Sequence, residues 1–269
     1  MESVATRFRD TTFAVVDVET TGVDPQTDRV VEVACVLVRD GRRLDTFTTL
    51  VDPERPIPAT ASAEHHLTDA YVRGAPRIER VAGRLRDMTA DAVLVAHNLA
   101  FDARFLPFLG DRPALCSMRF ARAVIPDAPS FKNQVLRYHL GVTDPDLEGT
   151  SAHRALGDAI VTSRVFEVCV RRYLANGAVD DVPHAIATVM RPRPLAALPF
   201  GRHRGVPLAN VPRGYLEWLI GTAEAASPDV MLTARAELER RNRRERPGAE
   251  QKRPRNVSGA AVVATSLPG

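Results

Sequence analysis

At 269 residues with 45% apolar side chains, the chain is long enough for one large domain with a small partner, or for two medium domains. Its formal charge of +3 is uneven: residues 235–255 carry nine Arg/Lys against four Asp/Glu, a net of +5, so the remainder is slightly acidic. The three cysteines, Cys35, Cys116 and Cys169, lie in apolar surroundings without Cys-x-x-Cys or Cys/His spacing, which argues against a disulfide framework and for buried thiols; no 18-residue apolar run or secretory h-region occurs, so a soluble cytoplasmic protein with no membrane partner is expected.

Residues 1–12 read as a short leader. Phe13–Val18 is an apolar, β-branched run and predicts a buried strand. Val30–Val38 predicts a second strand, Arg39–Arg42 a turn, and Leu44–Val51 a third strand with Phe47, Thr49 and Val51 alternating. Short connections imply an antiparallel meander. Pro53, Pro56 and Pro58 then break the chain into a loop. His65, His66, Leu67 and Thr68 follow within 63–74, and Ile78, Val81 and Leu85 mark a helix over Arg77–Met88.

Ala92–His97 predicts a fourth strand and Ala100–Leu109 a helix with Asp102 in its first turn. Leu115–Val124 reads as a strand-to-helix passage, and Phe131–Leu140 as a helix ended by Gly141. After a loop at 144–150, Ser151 is expected to cap a long helix running to about Ala175. A meander followed by alternating strands and helices predicts an α/β fold, a mixed sheet covered by helices.

Composition shifts after that helix. Pro192, Pro194 and Pro199 suggest a semi-rigid linker. Leu198–Leu208 reads as a small hairpin with a basic tip, and Tyr215–Ile220 and Val230–Arg241 as helices. From Arg246 onward Pro, Gly, Ser and charge prevail, which predicts disorder. The basic tract suits an acidic polymer, and a solvated charged helix explains it equally well.

The chemistry lies in three acidic stretches. Asp17 and Glu19 are two apart on the first strand, so both point to one face. His97-Asn98-Leu99-Ala100-Phe101-Asp102 follows the fourth strand, and His153-Arg154-Ala155-Leu156-Gly157-Asp158 opens the long helix. Taken singly, each has a plain explanation: a solvated strand end, a carboxylate at a helix N-terminus, a surface histidine. Together, four acids and one histidine sit at strand ends or first helical turns and can converge on one sheet edge. Four uncompensated carboxylates repel severely. Two divalent ions about 3.5–4 Å apart would resolve this and suit in-line attack on a phosphodiester. Oxygen ligands favour Mg²⁺ or Mn²⁺, leaving histidine free as a general base.

Asp17-x-Glu19-Thr20-Thr21-Gly22, His97-Asn98-x-x-Phe101-Asp102 and His153-x-x-x-x-Asp158, in that order, resemble the three exonuclease motifs of the histidine-containing DEDD (DEDDh, DnaQ-like) family. Residues 53–58, His65-x-Leu67-Thr68, residues 116–122 and Phe200-Gly-Arg-His-Arg-Gly are similar to the exodeoxyribonuclease X branch, a likeness spanning about residues 13–240. The resemblance implies an RNase H-like fold and metal-dependent 3′→5′ exonuclease activity on single-stranded or frayed DNA 3′ ends, with RNA as a rival substrate and a polymerase-associated proofreading or binding subunit as a rival role. It implies that Asp17, Glu19, Asp102 and Asp158 hold two Mg²⁺ or Mn²⁺ ions and that His153 deprotonates the attacking water. It further implies that Thr20, Thr21 and Gly22 grip the terminal nucleotide, that His65 and Leu67 wedge the last base, and that Asn98 and Phe101 shape the pocket. The expected organisation is an exonuclease domain over 1–178, a linker over 179–197, a small C-terminal α+β module over 198–245 and a disordered basic tail over 246–269. In the module, the Arg202–Arg204 tip suits phosphate contact. Tyr215 and Trp218 offer base stacking, although a Tyr/Leu/Trp/Leu stripe at helical spacing reads first as core.

Overall fold

The chain folds around β1, Phe13–Thr20, the middle strand of a five-stranded sheet ordered β3-β2-β1-β4-β5. The computed structural model describes residues 6–147, 152–221 and 228–245. β2 (Val30–Arg39) pairs antiparallel with β1, and β3 (Arg42–Leu50) antiparallel with β2, which is the expected meander. The connection Asp40–Gly41 is a tight turn with both residues at positive φ. Three short helices follow, α1 (Ala59–His65), α2 (Asp69–Val72) and α3 (Ile78–Thr89). β4 (Val93–Ala96) and β5 (Ala114–Cys116) then add in parallel beside β1, separated by α4 (Leu99–Phe105).

β4 is paired with β1 over Phe13–Val15. β1 therefore outruns its parallel neighbour, and Asp17–Thr20 extend past it. On the other side Asp17 lies opposite Ala34 and Glu19 opposite Glu32, with a register shift between Glu19 and Thr20. This strand end, open on one side and acidic, is where the site forms.

Period-two alternation sends β1 into two cores. Phe13 and Val15 join Ala34, Val36, Val95 and Leu115 on one face. That face is covered by α5 (Ser117–Val124), α6 (Asn133–His139), α7 (Ala155–Ala175) and α8 (Val182–Val189). Phe166 of α7 meets the Phe13 ring at 4.9 Å, and Phe120 meets Tyr173 at 5.3 Å. Ala14, Val16 and Val18 face the other way, against Val81 and Leu85 of α3 and Phe105 of α4. α7 starts among small residues, with Ala155, Gly157, Asp158 and Ala159 all buried, so its first turns lie close to their neighbours. All three cysteines are buried free thiols, and burial pushes Cys35 and Cys169 up to about 12. Among the described residues no helix is long and apolar enough to cross a membrane.

Four expectations need correction. Residues 6–12 are not a leader: Phe8 is buried beside Phe13 and Phe120, and Thr6 accepts the N–H of Val182. α7 begins at Ala155 with Arg154 as its cap, and Ser151 lies outside the described residues. The region 179–197 is not all linker, because α8 occupies Val182–Val189, capped by Asp181, and buries Val182, Ala185 and Val189 in the first core. The division between compact units falls at Arg191/Pro192.

In the second unit, α9 (Arg213–Gly221) and α10 (Pro228–Glu245) pack Leu216, Leu219, Val230 and Ala234 around Leu198, Leu208 and Val211. The expected hairpin reduces, among the described residues, to one bridge between Ala197 and Pro207 closing a glycine-flanked turn. The expected tail at 246–269 lies outside the described residues.

Candidate active site

Three elements supply the acids. Asp17 and Glu19 lie partly buried on the overhanging end of β1. Asp102 comes from the first turn of α4 and is 4% exposed. Its carboxylate takes the backbone N–H of Val18, which ties α4 to the strand between the two β1 acids. Asp158 comes from the first turn of α7. The electrostatics show how close the four are. Burial first, then Asp102, Asp158, Glu19 and Glu32, push Asp17 well above the ordinary carboxylate range. Burial, then Asp158, Glu32 and Asp102, push Glu19 up to about 8, with Arg154 pulling the other way. Burial pushes Asp102 up to about 7. Burial is the larger cause and, for Asp17 and Glu19, neighbouring negative charge the smaller one; both disfavour the charged carboxylate.

Asp158 is held on both carboxylate oxygens. Gln134 Nε2 donates to Oδ1 at 2.6 Å, and the backbone N–H of His153 donates to Oδ2 at 2.9 Å. Asn133 Nδ2 adds a bond to the Asp158 carbonyl at 3.1 Å. His153 itself stands outside α7, at φ +60°. Histidine is among the residues that visit this left-handed region, and here the turn aims its N–H at Asp158. Its exposed ring sits with Glu19 and Asp158 so that one ligand atom from each lies within 4.8 Å of the others. Four carboxylates, three of them raised chiefly by burial, with the His153 ring beside two of them, form a donor set that fits hard divalent cations.

The remaining expected residues separate into two groups. Thr20 and Thr21 are buried with their hydroxyls engaged, Thr20 Oγ1 to the Gly22 carbonyl at 2.5 Å and Thr21 Oγ1 to Asp28 Oδ1 at 3.1 Å. Gly22 is required because a Cβ there would stand 2.4 Å from Asp28 Oδ2. Asn98 is exposed and Phe101 half-buried against Phe105, both at the start of α4 near Asp102. His65 and Leu67 do not meet the wedge expectation: each is 1% exposed, so neither presents a face to a base. Leu67 N–H instead donates to His65 Nδ1 at 3.0 Å, and burial, partly offset by the Thr20 backbone, lowers the His65 imidazole. His65 thus lies against the Thr20 backbone, while Leu67 packs with Val31 and Val72.

A family model for exonucleases, RNase T, matches residues 14–166. Exodeoxyribonuclease 10 of Escherichia coli (strain K12) is 32% identical over 232 residues, covering 84% of this chain and 98% of that protein. The chain belongs to the DnaQ-like exonuclease family. Members of this family are 3′→5′ exonucleases, which are phosphodiester hydrolases. A DNA polymerase III subunit epsilon-like protein of Rhodobacter capsulatus is 39% identical over 165 residues, but these are 58% of this chain and 23% of that protein. The PolC-type DNA polymerase III of Clostridium perfringens is matched over 12% of its length. Among solved structures, exonuclease X in complex with 5′ overhanging duplex DNA aligns with a TM-score of 0.54 at 30% identity, covering 66% of this chain and 98% of that one. An E. coli ExoI–ssDNA complex, at 17% identity and a TM-score of 0.51, shares the fold.

Within this DnaQ-like domain the structure adds residues that motif reading missed. Glu32, directly across from Glu19, is 4% exposed and accepts from Arg154 Nε at 3.0 Å, Arg154 Nη2 at 2.7 Å and the Ala155 N–H at 3.0 Å. It caps α7 from a neighbouring strand. Its signal was an acid inside Val-Val-Glu-Val-Ala, an otherwise apolar strand. Gln134 and Asn133 carried no such signal. His97 is structural: its ring nitrogens lie 2.8 Å from Ser117 Oγ and 2.8 Å from the Phe131 carbonyl, and burial lowers its imidazole. An apolar cavity of about 290 Å³, lined by Phe8, Phe13, Val38 and Leu174, lies at the opposite end of β1 from the acids.

Proposed function

We propose that the protein is a metal-dependent 3′→5′ exodeoxyribonuclease that releases nucleoside 5′-monophosphates from single-stranded or frayed DNA 3′ ends. The observation that carries this reading is the convergence of Asp17, Glu19, Asp102 and Asp158 at one strand end, with His153 beside Glu19 and Asp158. The four carboxylates would hold two Mg²⁺ or Mn²⁺ ions. Such ions stabilise the charge that develops on the phosphate and lower the cost of ionising water. Glu19 and Asp158 hold the side of the site nearest His153, and Asp17 and Asp102 the side nearest α4. His153 accepts the proton of the attacking water, and its exposed ring gives that proton a route to solvent. Its backbone N–H meanwhile keeps Asp158 oriented.

Because the Thr20 and Thr21 hydroxyls are spent within their own turn, this turn would meet the terminal nucleotide through its backbone. Asn98 and Phe101 would contact the nucleotide from the α4 side. His65, held by the Leu67 N–H, would act by fixing the Thr20 backbone. DNA is the preferred substrate in this reading because the exonuclease X relative was solved on overhanging duplex DNA and is covered almost completely. The test digests 5′-labelled single-stranded DNA, overhanging duplex DNA and RNA side by side with Mg²⁺. A 3′-shortened ladder with mononucleotide product supports the reading, whereas internal cuts or a strict RNA preference would overturn it.

The 39% identity to a polymerase III epsilon-like protein supports a second reading, a proofreading subunit. Coverage of 98% of Exodeoxyribonuclease 10, against 23% of the epsilon-like protein, weighs against it. Copurification with a polymerase at fixed stoichiometry would favour the second reading.

A further inference from the structure

We propose that the second unit carries a stacking surface for single-stranded nucleic acid, made by Tyr215 and Trp218 of α9 and the cationic turn Arg202–His203–Arg204. The proposal takes its polymer class from the nuclease reading, but it concerns binding and not cleavage. α9 divides its apolar residues between two faces. Leu216 and Leu219 are buried in the core and Tyr215 is half-buried against it, while Trp218 is 52% exposed. The two rings lie 5.2 Å apart with planes at 38°. The stripe is therefore not all core: it presents the Trp218 ring on the outer side of α9, with Tyr215 packed behind it.

The turn is built onto this pair. The Arg202 guanidinium lies 5.5 Å from the Tyr215 ring centre. His203 meets Tyr215 edge-on at 4.6 Å, and Arg202 Nε donates to His203 Nε2 at 3.1 Å. Gly201 sits at φ +71°, and a Cβ there would stand 2.4 Å from the Tyr215 hydroxyl. A side chain at this position would thus be excluded twice, by backbone conformation and by the ring.

Charge completes the surface. Three other arginines of the unit are paired, Arg213 with Glu217 and Glu245, and Arg240 and Arg241 with Glu237. Arg202 and Arg204 are exposed, and among the described residues no carboxylate pairs with them. An exposed indole beside a Tyr215–Arg202 stack, with two exposed arginines that no described carboxylate pairs, suits a chain of bases and phosphates. Bases stack whatever their identity, and arginines follow the backbone. An acidic protein segment would satisfy the arginines but would leave the rings without a planar partner.

Trp218 is the chain's one tryptophan, so its fluorescence reports on this surface. The experiment titrates the full chain with an oligothymidylate in EDTA. Chelation stops cleavage and leaves the acids of the first unit without cations, which weakens their hold on phosphate. Saturable quenching is expected. By anisotropy of a labelled oligothymidylate, Trp218→Ala should bind about 5- to 100-fold more weakly, with recovery in Trp218→Phe. Arg202→Gln with Arg204→Gln should reduce the slope of log affinity against log salt by about 0.7 per arginine. The proposal is overturned if the oligonucleotide binds without changing the fluorescence, if Trp218→Ala binds as tightly as the parent, or if heparin or polyglutamate quenches equally. Quenching without cleavage in Mg²⁺ would sink the nuclease reading and leave this one standing, and cleavage with unmoved fluorescence would do the reverse.

Discussion

Arg154 holds Glu32 by two hydrogen bonds, Nε to Oε2 at 3.0 Å and Nη2 to Oε1 at 2.7 Å. The pair joins β2 to the residue that caps α7, and so sets where His153 and Asp158 stand. The Glu32 side chain is 6% exposed and that of Arg154 40%. Removing the arginine therefore strands a buried carboxylate, while the arginine's own charge is already shared with solvent. Arg154→Ala is expected to lower the unfolding free energy by about 1–3 kcal/mol, measured by urea denaturation. The double variant Glu32→Gln/Arg154→Gln should lose less than the sum of its single changes. Strict additivity would mean that the two groups are not coupled.

The raised carboxylates make a prediction about pH. Glu19 titrates near 8 in the folded chain against an ordinary value of 4.5, and Asp102 near 7 against 3.8. The folded state thus binds protons more tightly than the unfolded state does. This contribution to stability is fully present below about pH 4 and is lost as pH rises through 7 and 8. In EDTA the Tm should accordingly fall across that window. Divalent cations compete with the protons and relieve the same repulsion, so the Tm gain from saturating Mg²⁺ should grow from pH 6 to pH 9. An equal gain at both ends would separate the acid cluster from the metal site.

Gln134 provides a sharper probe of Asp158. Its amide donates to Oδ1 at 2.6 Å and fixes the carboxylate against rotation. Partners that orient a ligand typically contribute 10–100-fold to metal affinity or activity. Gln134→Leu is expected to weaken the activating metal concentration by about that factor, read from a Mg²⁺ titration of turnover. Since α6 keeps its buried Leu136, the Tm should move little. A normal titration would make the bond incidental.

Much of this arrangement was legible in the chain. Alternation along Phe13–Glu19 placed two acids on one face of one strand, and the order of the three motifs placed the others near it. What stayed hidden depends on distant partners. Ser151 looked like the cap of α7, yet the helix starts at Ala155 because Glu32, over a hundred positions earlier, supplies the acceptor for its first N–H. Val182, Ala185 and Val189 have helical spacing, but nearby prolines favoured a linker reading, and Pro183 is tolerated because it lies in the first turn. His65 and Leu67 lie in a motif-like stretch whose burial depends on α1 and α2 folding over β2. In α9, spacing alone did not say whether the leucines or the aromatic pair faced inward.

His153 lies beside Glu19 and Asp158. Its N–H is bonded to Asp158 Oδ2, and its ring shares a space with Glu19 and Asp158 in which one atom of each lies within 4.8 Å of the others. Two roles fit that position: a base that takes the proton of the attacking water, or a fourth ligand that merely helps to hold the cation. They differ in what substitution removes. His153→Ala leaves the backbone N–H in place, so Asp158 keeps its orientation, and all four carboxylates remain. If the ring is the base, turnover should fall by about two to four orders of magnitude while metal affinity and DNA binding stay nearly constant. Asp158→Asn should also abolish turnover, but by losing the cation, so its metal titration should shift as well. Measuring kcat together with Mn²⁺ affinity by calorimetry for both variants separates the roles. A His153→Ala enzyme that loses metal as badly as Asp158→Asn is missing a ligand, and one with near-normal kcat is missing nothing that the chemistry uses. Only normal metal binding with collapsed kcat assigns the proton to His153.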